Sequence, residues 1–298
     1  MTTFVQLLVS GLALGAAYAL TALGFVVIYR ASQVFNFAQG ELLTTGAFAM
    51  TTAVGLGLPW PLAVLAAMIF TGCVGAVIER VVLRPMVGRP VFVVIILTIF
   101  VALFLRALIH IVWGTDVRGM PTPWEPLAAT SVLGAKVLIS SLGAIAAAGV
   151  ALGLFFILLR YTRLGVAMRA TSGDQEVALV LGIPVGRIFG ATWFLSGAYA
   201  ALAGIFLAMF PNSLDANLSY IALAAFPAVI VGGLDSPLGT VIAGLLLGVL
   251  EVLAQGYVNP RLGDFGNNFH QVFPYIVMII FLMVRPYGLF GVREVERV

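Results

Sequence analysis

Charge is what this sequence has least of. Of its 298 residues, 9% are Asp, Glu, Lys or Arg, against about 25% in an ordinary soluble domain. A soluble fold of this length stays dissolved by covering itself with charge, so the shortage excludes that class. Cysteine occurs once, at Cys73, inside an apolar run. It makes no internal disulfide and holds no metal alone, and reads as a small buried apolar side chain. Histidine occurs only at His110 and His270. With no His/Glu metal motif and no Ser-His-Asp grouping, a membrane enzyme is disfavoured. There is no Gly-x-x-x-x-Gly-Lys-Ser/Thr loop to hold a nucleotide. No hydrophilic stretch is long enough for a second domain, so residues 1–298 read as one transmembrane unit with membrane lipid as a partner and no nucleic acid. Met1–Gln6 lacks a basic stretch, and the apolar run after it exceeds signal-peptide length, so it reads as a retained span.

Apolar residues, at 62%, fill the space that charge leaves, and the mean hydropathy is +1.13. Runs near the bilayer-crossing length lie at Phe4–Tyr29, Phe35–Val54, Pro61–Val82, Val91–Val112, Leu133–Leu159, Ile188–Phe210, Leu218–Val231, Leu238–Gly256 and Phe269–Val284. They predict an all-α polytopic bundle of about nine spans, within a range of eight to ten. The seventh run is short and interrupted by Pro227, so it reads as broken or re-entrant. Arginines cluster at alternate loops: Arg30; Arg80, Arg84 and Arg89; Arg160, Arg163, Arg169 and Arg187; Arg285, Arg293 and Arg297. Nine spans put every cluster on one side, the cytoplasmic one, with the N-terminus outside and the C-terminus inside. In the intervening loops Arg118 is flanked by Asp116 and Glu125, and Arg261 lies near Asp264. The Trp- and Pro-bearing loop Trp113–Thr130 then faces outward, as an interfacial belt or as a docking surface for a soluble partner.

Small residues recur within the spans, as at Gly11 and Gly15 and at Gly244 and Gly248; they let helix backbones approach closely in lipid. Gly15-Ala16-Ala17-Tyr18-Ala19-Leu20 is echoed by Gly197-Ala198-Tyr199-Ala200-Ala201-Leu202. The predicted topology runs these two spans in opposite directions, as an inverted repeat would.

The longest basic loop, about residues 160–187, carries its own pattern. Ser172 and Gln175 have capping-box spacing, and Asp174 and Glu176 occupy a first turn, where the helix dipole favours acid. Val177, Val180 and Leu181 share one face, and Gly182 and Pro184 end the helix. A helix of two turns is marginal alone in water, so it requires something to pack against.

Arg160-Tyr161-Thr162-Arg163-Leu164-Gly165-Val166-Ala167-Met168-Arg169-Ala170, followed by Asp174, Ala178 and Leu181-Gly182-Ile183, resembles the cytoplasmic coupling loop of ABC importer permeases of the branched-chain amino acid family. That family's pattern has a second Arg where this chain has Val166. Three other segments agree, in the same order. Asn36-Phe37-Ala38-Gln39-Gly40-Glu41 resembles its Asn-Phe-Ala-x-Gly-Glu motif. Gly232-Gly233-Leu234-Asp235-Ser236-Pro237-Leu238-Gly239 resembles its Gly-Gly-x-Gly-Ser region, with Asp235 where Gly is common. Arg285-Pro286-Tyr287-Gly288-Leu289-Phe290-Gly291 resembles its Arg-Pro-x-Gly-Leu-x-Gly ending.

The resemblance implies a subunit that binds no cofactor and catalyses nothing itself. Two separate ATP-binding subunits would use ATP, a second permease subunit (a paralogue) would complete the pathway, and a periplasmic or lipid-anchored binding protein would deliver cargo. It implies coupling through Arg163, Gly165, Arg169, Asp174, Val177, Ala178, Leu181, Gly182 and Ile183, with positive-inside anchoring as the plainer role of the arginines. It also implies a pathway near Asn36, Gln39, Gly40, Glu41, Gly232 and Gly233. Glu41 is the sharpest intramembrane ionisable residue, and it calls for a wet cavity or a buried partner such as Arg30. Glu251 is a second candidate of this kind. Arg106 and His110, near the end of a span, read as snorkelling side chains, and Glu79 as an interfacial partner of Arg80. An ion-coupled secondary transporter is the rival class, and it leaves the amphipathic loop helix unexplained. Branched-chain amino acids are the cargo the resemblance favours, with urea or short amides as the alternative.

Overall fold

In hydrocarbon a backbone must satisfy its own hydrogen bonds, and a helix does so within one segment. The computed structural model is accordingly mostly helical, and it describes residues 2–291 apart from 87, 133, 210 and 267. Leu133 and Phe210, which bound two of the predicted runs, lie outside the described residues, as do Arg293, Arg297 and the side chain of Asp264. In chain order the elements begin with α1 (Thr2–Ser32), α2 (Gln39–Gly55), α3 (Trp60–Ile78) and α4 (Val91–Trp113). A hairpin of β1 (Ala129–Val132) and β2 (Ala135–Leu138) precedes α5 (Ile139–Tyr161), α6 (Arg163–Gly173) and α7 (Gln175–Val180). The chain ends with α8 (Val185–Leu207), α9 (Leu218–Leu223), α10 (Phe226–Gly232), α11 (Pro237–Leu253) and α12 (Phe269–Val284).

Every predicted apolar run contains helix, but nine full-length spans are not confirmed. Among the described residues, six helices are long and apolar enough to cross a bilayer: α1, α3 continued to Met86, α4, α5, α8, and α11 continued to Arg261. The other three runs are shorter. α2 has 17 residues and α12 has 16, and the seventh run divides into α9 and α10, with Pro227 in the first turn of the latter. The all-α expectation also fails locally, because the stretch before Ile139 is an antiparallel hairpin pairing Ala129 with Leu138 and Val132 with Ala135. Along β2, Ala135 and Val137 are buried and Lys136 is exposed, the two-residue period of a strand.

α1 and α8 are the most buried spans, whereas α3, α4 and α5 are mostly exposed along theirs. Their outward side chains include Ile69, Phe100, Phe104 and Leu154, the surface expected where lipid is the solvent. Cys73 belongs to this outer surface and not to the interior. Around a lipid-facing helix both faces are apolar, so composition does not separate buried from exposed. α1 and α11 cross closely at the small residues that the sequence singled out. A Cβ on Gly15 would stand 2.7 Å from the Leu245 carbonyl oxygen, and one on Gly248 would stand 2.2 Å from the Gly15 nitrogen.

Contacts at the helix ends sort the bundle into two faces. At one, Trp113 Nε1 donates to Thr52 Oγ1 at 2.8 Å, Trp60 Nε1 donates to the Pro121 carbonyl at 3.1 Å, and Arg118 pairs with Leu214 through both backbone groups. The Arg118 guanidinium donates to the Trp113 carbonyl at 2.6 Å and forms no ion pair with Asp116 or Glu125. At the other face, Gln175 Nε2 donates to the Ala31 carbonyl at 3.1 Å, Arg84 to the Gly186 carbonyl at 2.6 Å, and Leu289 N to the Val231 carbonyl at 2.8 Å. Arg30, Arg84, Arg160, Arg163, Arg169, Arg187 and Arg285 therefore share this second face.

Candidate functional site

At the basic face α5 turns directly into α6. Thr162 caps α6 by accepting from Gly165 N at 3.1 Å, and Gly165 is buried so close to the last α5 carbonyls that a Cβ there would lie 2.3 Å from the Leu159 oxygen. Arg169 donates to that same carbonyl, while Arg163 is exposed. α7 begins two residues later than a capping box on Ser172 would place it. Asp174 is the cap: its Oδ1 accepts from Glu176 N at 2.8 Å and from Val177 N at 3.0 Å. Ser172 instead donates to the Arg169 carbonyl at 2.9 Å. The Asp174 carboxylate, adjacent to the helix start and carrying charge, satisfies two end amides at once.

α7 is amphipathic in an unusual sense. Ala178 is buried with Ala31, Val185 and Phe189, and Ile183 packs against them half-buried. Val177, Leu179, Val180 and Leu181 are all exposed, Val180 to 87%. Gly182 ends the helix with φ at +80°, and its N–H donates to the Leu179 carbonyl at 3.0 Å. The segment is thus held down by Ala178 and presents aliphatic side chains outward at the polar end of the bundle.

A second locus lies deeper. After Ser32 the chain reverses at Gln33 (φ 56°) and runs back along the bundle before α2 begins. The Gln39 side chain reaches Gly24 and Ser196: its Oε1 is 2.9 Å from Ser196 Oγ, which also lies 3.0 Å from the Gly24 carbonyl oxygen. α1 continues for eight residues past Gly24, so α2 starts roughly 12 Å inside the end of α1 at 1.5 Å per residue. This explains its short length. Asn36 organises the start: its Oδ1 accepts from Ala38 N at 3.0 Å and its Nδ2 donates to Gln39 Oε1 at 3.2 Å. Gly40 lies under the Ser219 carbonyl, where a Cβ would approach to 2.5 Å.

Glu41, 6% exposed, does not meet Arg30. Its Oε1 lies 3.9 Å from Arg106 Nε on α4. Arg106 does not snorkel away; it donates to Tyr220 Oη at 2.7 Å and to the Ala216 carbonyl at 3.3 Å, and it stacks on the Tyr220 ring at 4.4 Å. Arg106, His110, Ser219 and Tyr220 were not among the residues the sequence assigned to this site. The available signal was the depth of Arg106, seven residues inside the end of α4.

The remaining polar groups are accounted for differently. Glu251 accepts from Tyr18 Oη at 2.9 Å within the α1–α11 contact. Glu79 pairs with Arg84, not Arg80, at 2.8 Å, because the π turn at Glu79–Leu83 brings the two side chains together. Gly232 and Gly233 end α10 at the basic face, far from Asn36–Glu41 in sequence. Gly233 has φ at +99°, and the C-terminal segment packs on it, with Phe290 N donating to the Gly232 carbonyl at 3.4 Å. Among the described residues no three His, Cys, Asp or Glu side chains converge as metal ligands.

The family model described as "Branched-chain amino acid transport system / permease component" matches residues 7–282. The chain is 31% identical to the high-affinity branched-chain amino acid transport system permease protein BraD of Pseudomonas aeruginosa, covering 99% of this chain and 98% of that one. It is 29% identical to the corresponding protein LivH of Escherichia coli K12, with the same coverage. Among solved structures, PsaBC from Streptococcus pneumoniae in complex with a Fab shares the fold, with a TM-score of 0.53 at 11% identity over 96% of this chain and 92% of that chain.

Proposed function

The chain belongs to the branched-chain amino acid transport permease family, and on that premise we propose that it forms half of the membrane pathway of an ABC importer carrying branched-chain amino acids. The protein is a permease component and not an enzyme; ATP hydrolysis falls to separate subunits. The observation that carries the coupling reading is α7. A capped helix pinned by buried Ala178, with Val177, Leu179, Val180 and Leu181 exposed at the polar end of the bundle, has no role in lipid and fits a groove on a soluble ATP-binding subunit. Arg163, Asp174 and the exposed side chains of α7 make that contact. Gly165, Arg169, Ala178, Gly182 and Ile183 seat the segment on the bundle.

Two ATP-binding subunits dock at the basic face, a paralogous permease completes the pathway, and a binding protein delivers cargo to the face of Trp60 and Trp113. The shared placement of the arginines supports a cytoplasmic basic face, an external N-terminus and a cytoplasmic C-terminus. Counting α2, the α9–α10 pair and α12 as shorter crossings returns nine passages and keeps that alternation. The deep start of α2 after α1 and the broken α9–α10 after α8 support an inverted repeat. The pathway runs beside Asn36, Gln39, Gly40 and Glu41, where helices are interrupted, and Gly232 and Gly233 lie at its inner end. Uptake of labelled leucine by the reconstituted importer, with and without ATP, tests the reading.

A further inference from the structure

A charge buried in a membrane bundle costs several kcal/mol unless it finds partners, and Glu41 is only half provided for. Its Oε1 stands 3.9 Å from Arg106 Nε, beyond hydrogen-bond length. Its Oε2 is buried without a hydrogen bond, and the neighbouring Ser219 hydroxyl donates instead to the Ala216 carbonyl at 3.3 Å. One turn along α4 from Arg106, on the same side of the helix, His110 Nδ1 is likewise buried and unpartnered. Arg106 is by contrast well held. Tyr220 Oη accepts from it at 2.7 Å, the Ala216 carbonyl at 3.3 Å and Ser219 Oγ at 3.4 Å. The covering ring of Tyr220 is 57% exposed, so the guanidinium lies one side chain away from the open face of α9. A purely structural ion pair closes its hydrogen bonds, since an unpaired buried acceptor wastes the pairing. This one instead holds a fixed cation and leaves the neighbouring carboxylate oxygen short of a donor.

We infer that Glu41 and Arg106 are the two halves of a site for the α-ammonium-carboxylate head of an amino acid, the ammonium donating to Glu41 and the carboxylate accepting from Arg106. In an α-amino acid the two charged groups are separated by a single carbon, a spacing comparable to that between the Glu41 and Arg106 side chains. Laid against the pair, the zwitterion meets each fixed charge with its opposite, supplies the donor that Glu41 lacks, and leaves the net charge of the site unchanged. Urea and short amides carry neither charge; their N–H groups hydrogen-bond a carboxylate but give neither Glu41 nor Arg106 a counter-charge. The site lies where α2 and α9 begin, at Glu41 and at Ser219–Tyr220. The inference rests on the amino-acid reading of the cargo and assigns the residues that recognise it.

The test uses the assembled importer, permease pair and ATP-binding subunits, in lipid nanodiscs without the binding protein, with tritiated leucine as probe. Competitors are unlabelled leucine, its keto acid (no ammonium) and isoamylamine (no carboxylate). Saturable leucine binding is expected, with each one-charge analogue at least about tenfold weaker, the loss of one charge-assisted contact. Glu41→Gln should weaken leucine and isoamylamine about tenfold and leave the keto acid as tight or tighter, because a like charge is removed, and Arg106→Gln should weaken leucine and the keto acid about tenfold and leave isoamylamine as tight or tighter. Each variant must keep one class of ligand, so misfolding does not imitate the result. Variants that weaken all three ligands alike, or a wild-type complex that drives leucine uptake yet binds no leucine, would overturn the site and leave the cargo reading standing. A wild-type importer that takes up urea or amides and not leucine would remove both.

Discussion

Gly248 sits where α11 comes nearest to α1, and a Cβ there would meet the Gly15 backbone at 2.2 Å. Neither neighbour can yield, because both contacting atoms are main chain. Gly248→Leu should therefore push the helices apart and destabilise the bundle by at least about 1–3 kcal/mol, the usual cost of overpacking, read as a fall in the thermal midpoint of the purified permease. Gly149→Leu, at a position with open space around it, should leave the midpoint nearly unchanged. The sequence announced Gly11, Gly15, Gly244 and Gly248 as small residues suited to close approach, though not which helices they join. Arg106 shows the same limit at a charged residue. Its intramembrane position is legible, but its partners Glu41 and Tyr220 are 65 and 114 residues away in sequence, and span-end arginines are usually interfacial. Glu79 was assigned the nearest arginine, and the π turn gave it Arg84 instead.

Among the elements, α7 carries the most consequence per residue. With six residues it has little intrinsic stability, so the two amides capped by Asp174 and the reversal at Gly182 decide whether it forms. Asp174→Ala removes a cap worth about 1 kcal/mol, and Gly182→Val places a branched side chain at φ +80°, at a cost of roughly 1–2 kcal/mol. Both should weaken co-purification of the ATP-binding subunits while membrane insertion is retained, and Leu181→Glu should abolish it by placing charge in the docking face. Equal recovery of those subunits with all three variants would remove α7 from the interface. The loop helix was legible because its hydrophobic period, acidic first turn and terminating Gly-Ile-Pro sit in a polar stretch where such signals stand out. The cap was misassigned because Ser172 and Asp174 both fit the start of the pattern, and only the backbone turn at 174 selects between them. The β1–β2 hairpin was missed because β2 is apolar enough to extend the run of α5, while β1, Ala-Thr-Ser-Val, falls at the end of the preceding loop.

At the scale of the molecule, the arginine pattern and the helix-end contacts give one ordering of the two faces. With Cys73 replaced by Ser, a cysteine at Ser172 should react with a membrane-impermeant maleimide only in inside-out vesicles, and one at Val117 only in right-side-out vesicles. Labelling of both from the same side would contradict the passage of α5 from one face to the other. Each of the nine apolar runs contains helix, but hydropathy passed over α6 and overcounted full-length spans, since it registers apolar content and not where a helix begins. α2 looks like a longer span in sequence because Phe35, Phe37 and Ala38 are apolar, although they run as non-helical chain.

ATP-driven amino acid import through this permease is read from uptake of labelled leucine into proteoliposomes holding the permease pair, the ATP-binding subunits and the loaded binding protein, with unlabelled isoleucine, valine, urea and acetamide as competitors. Saturable uptake that requires ATP and yields to isoleucine and valine alone is the predicted result. Uptake that ignores ATP and follows an ion gradient would contradict the account.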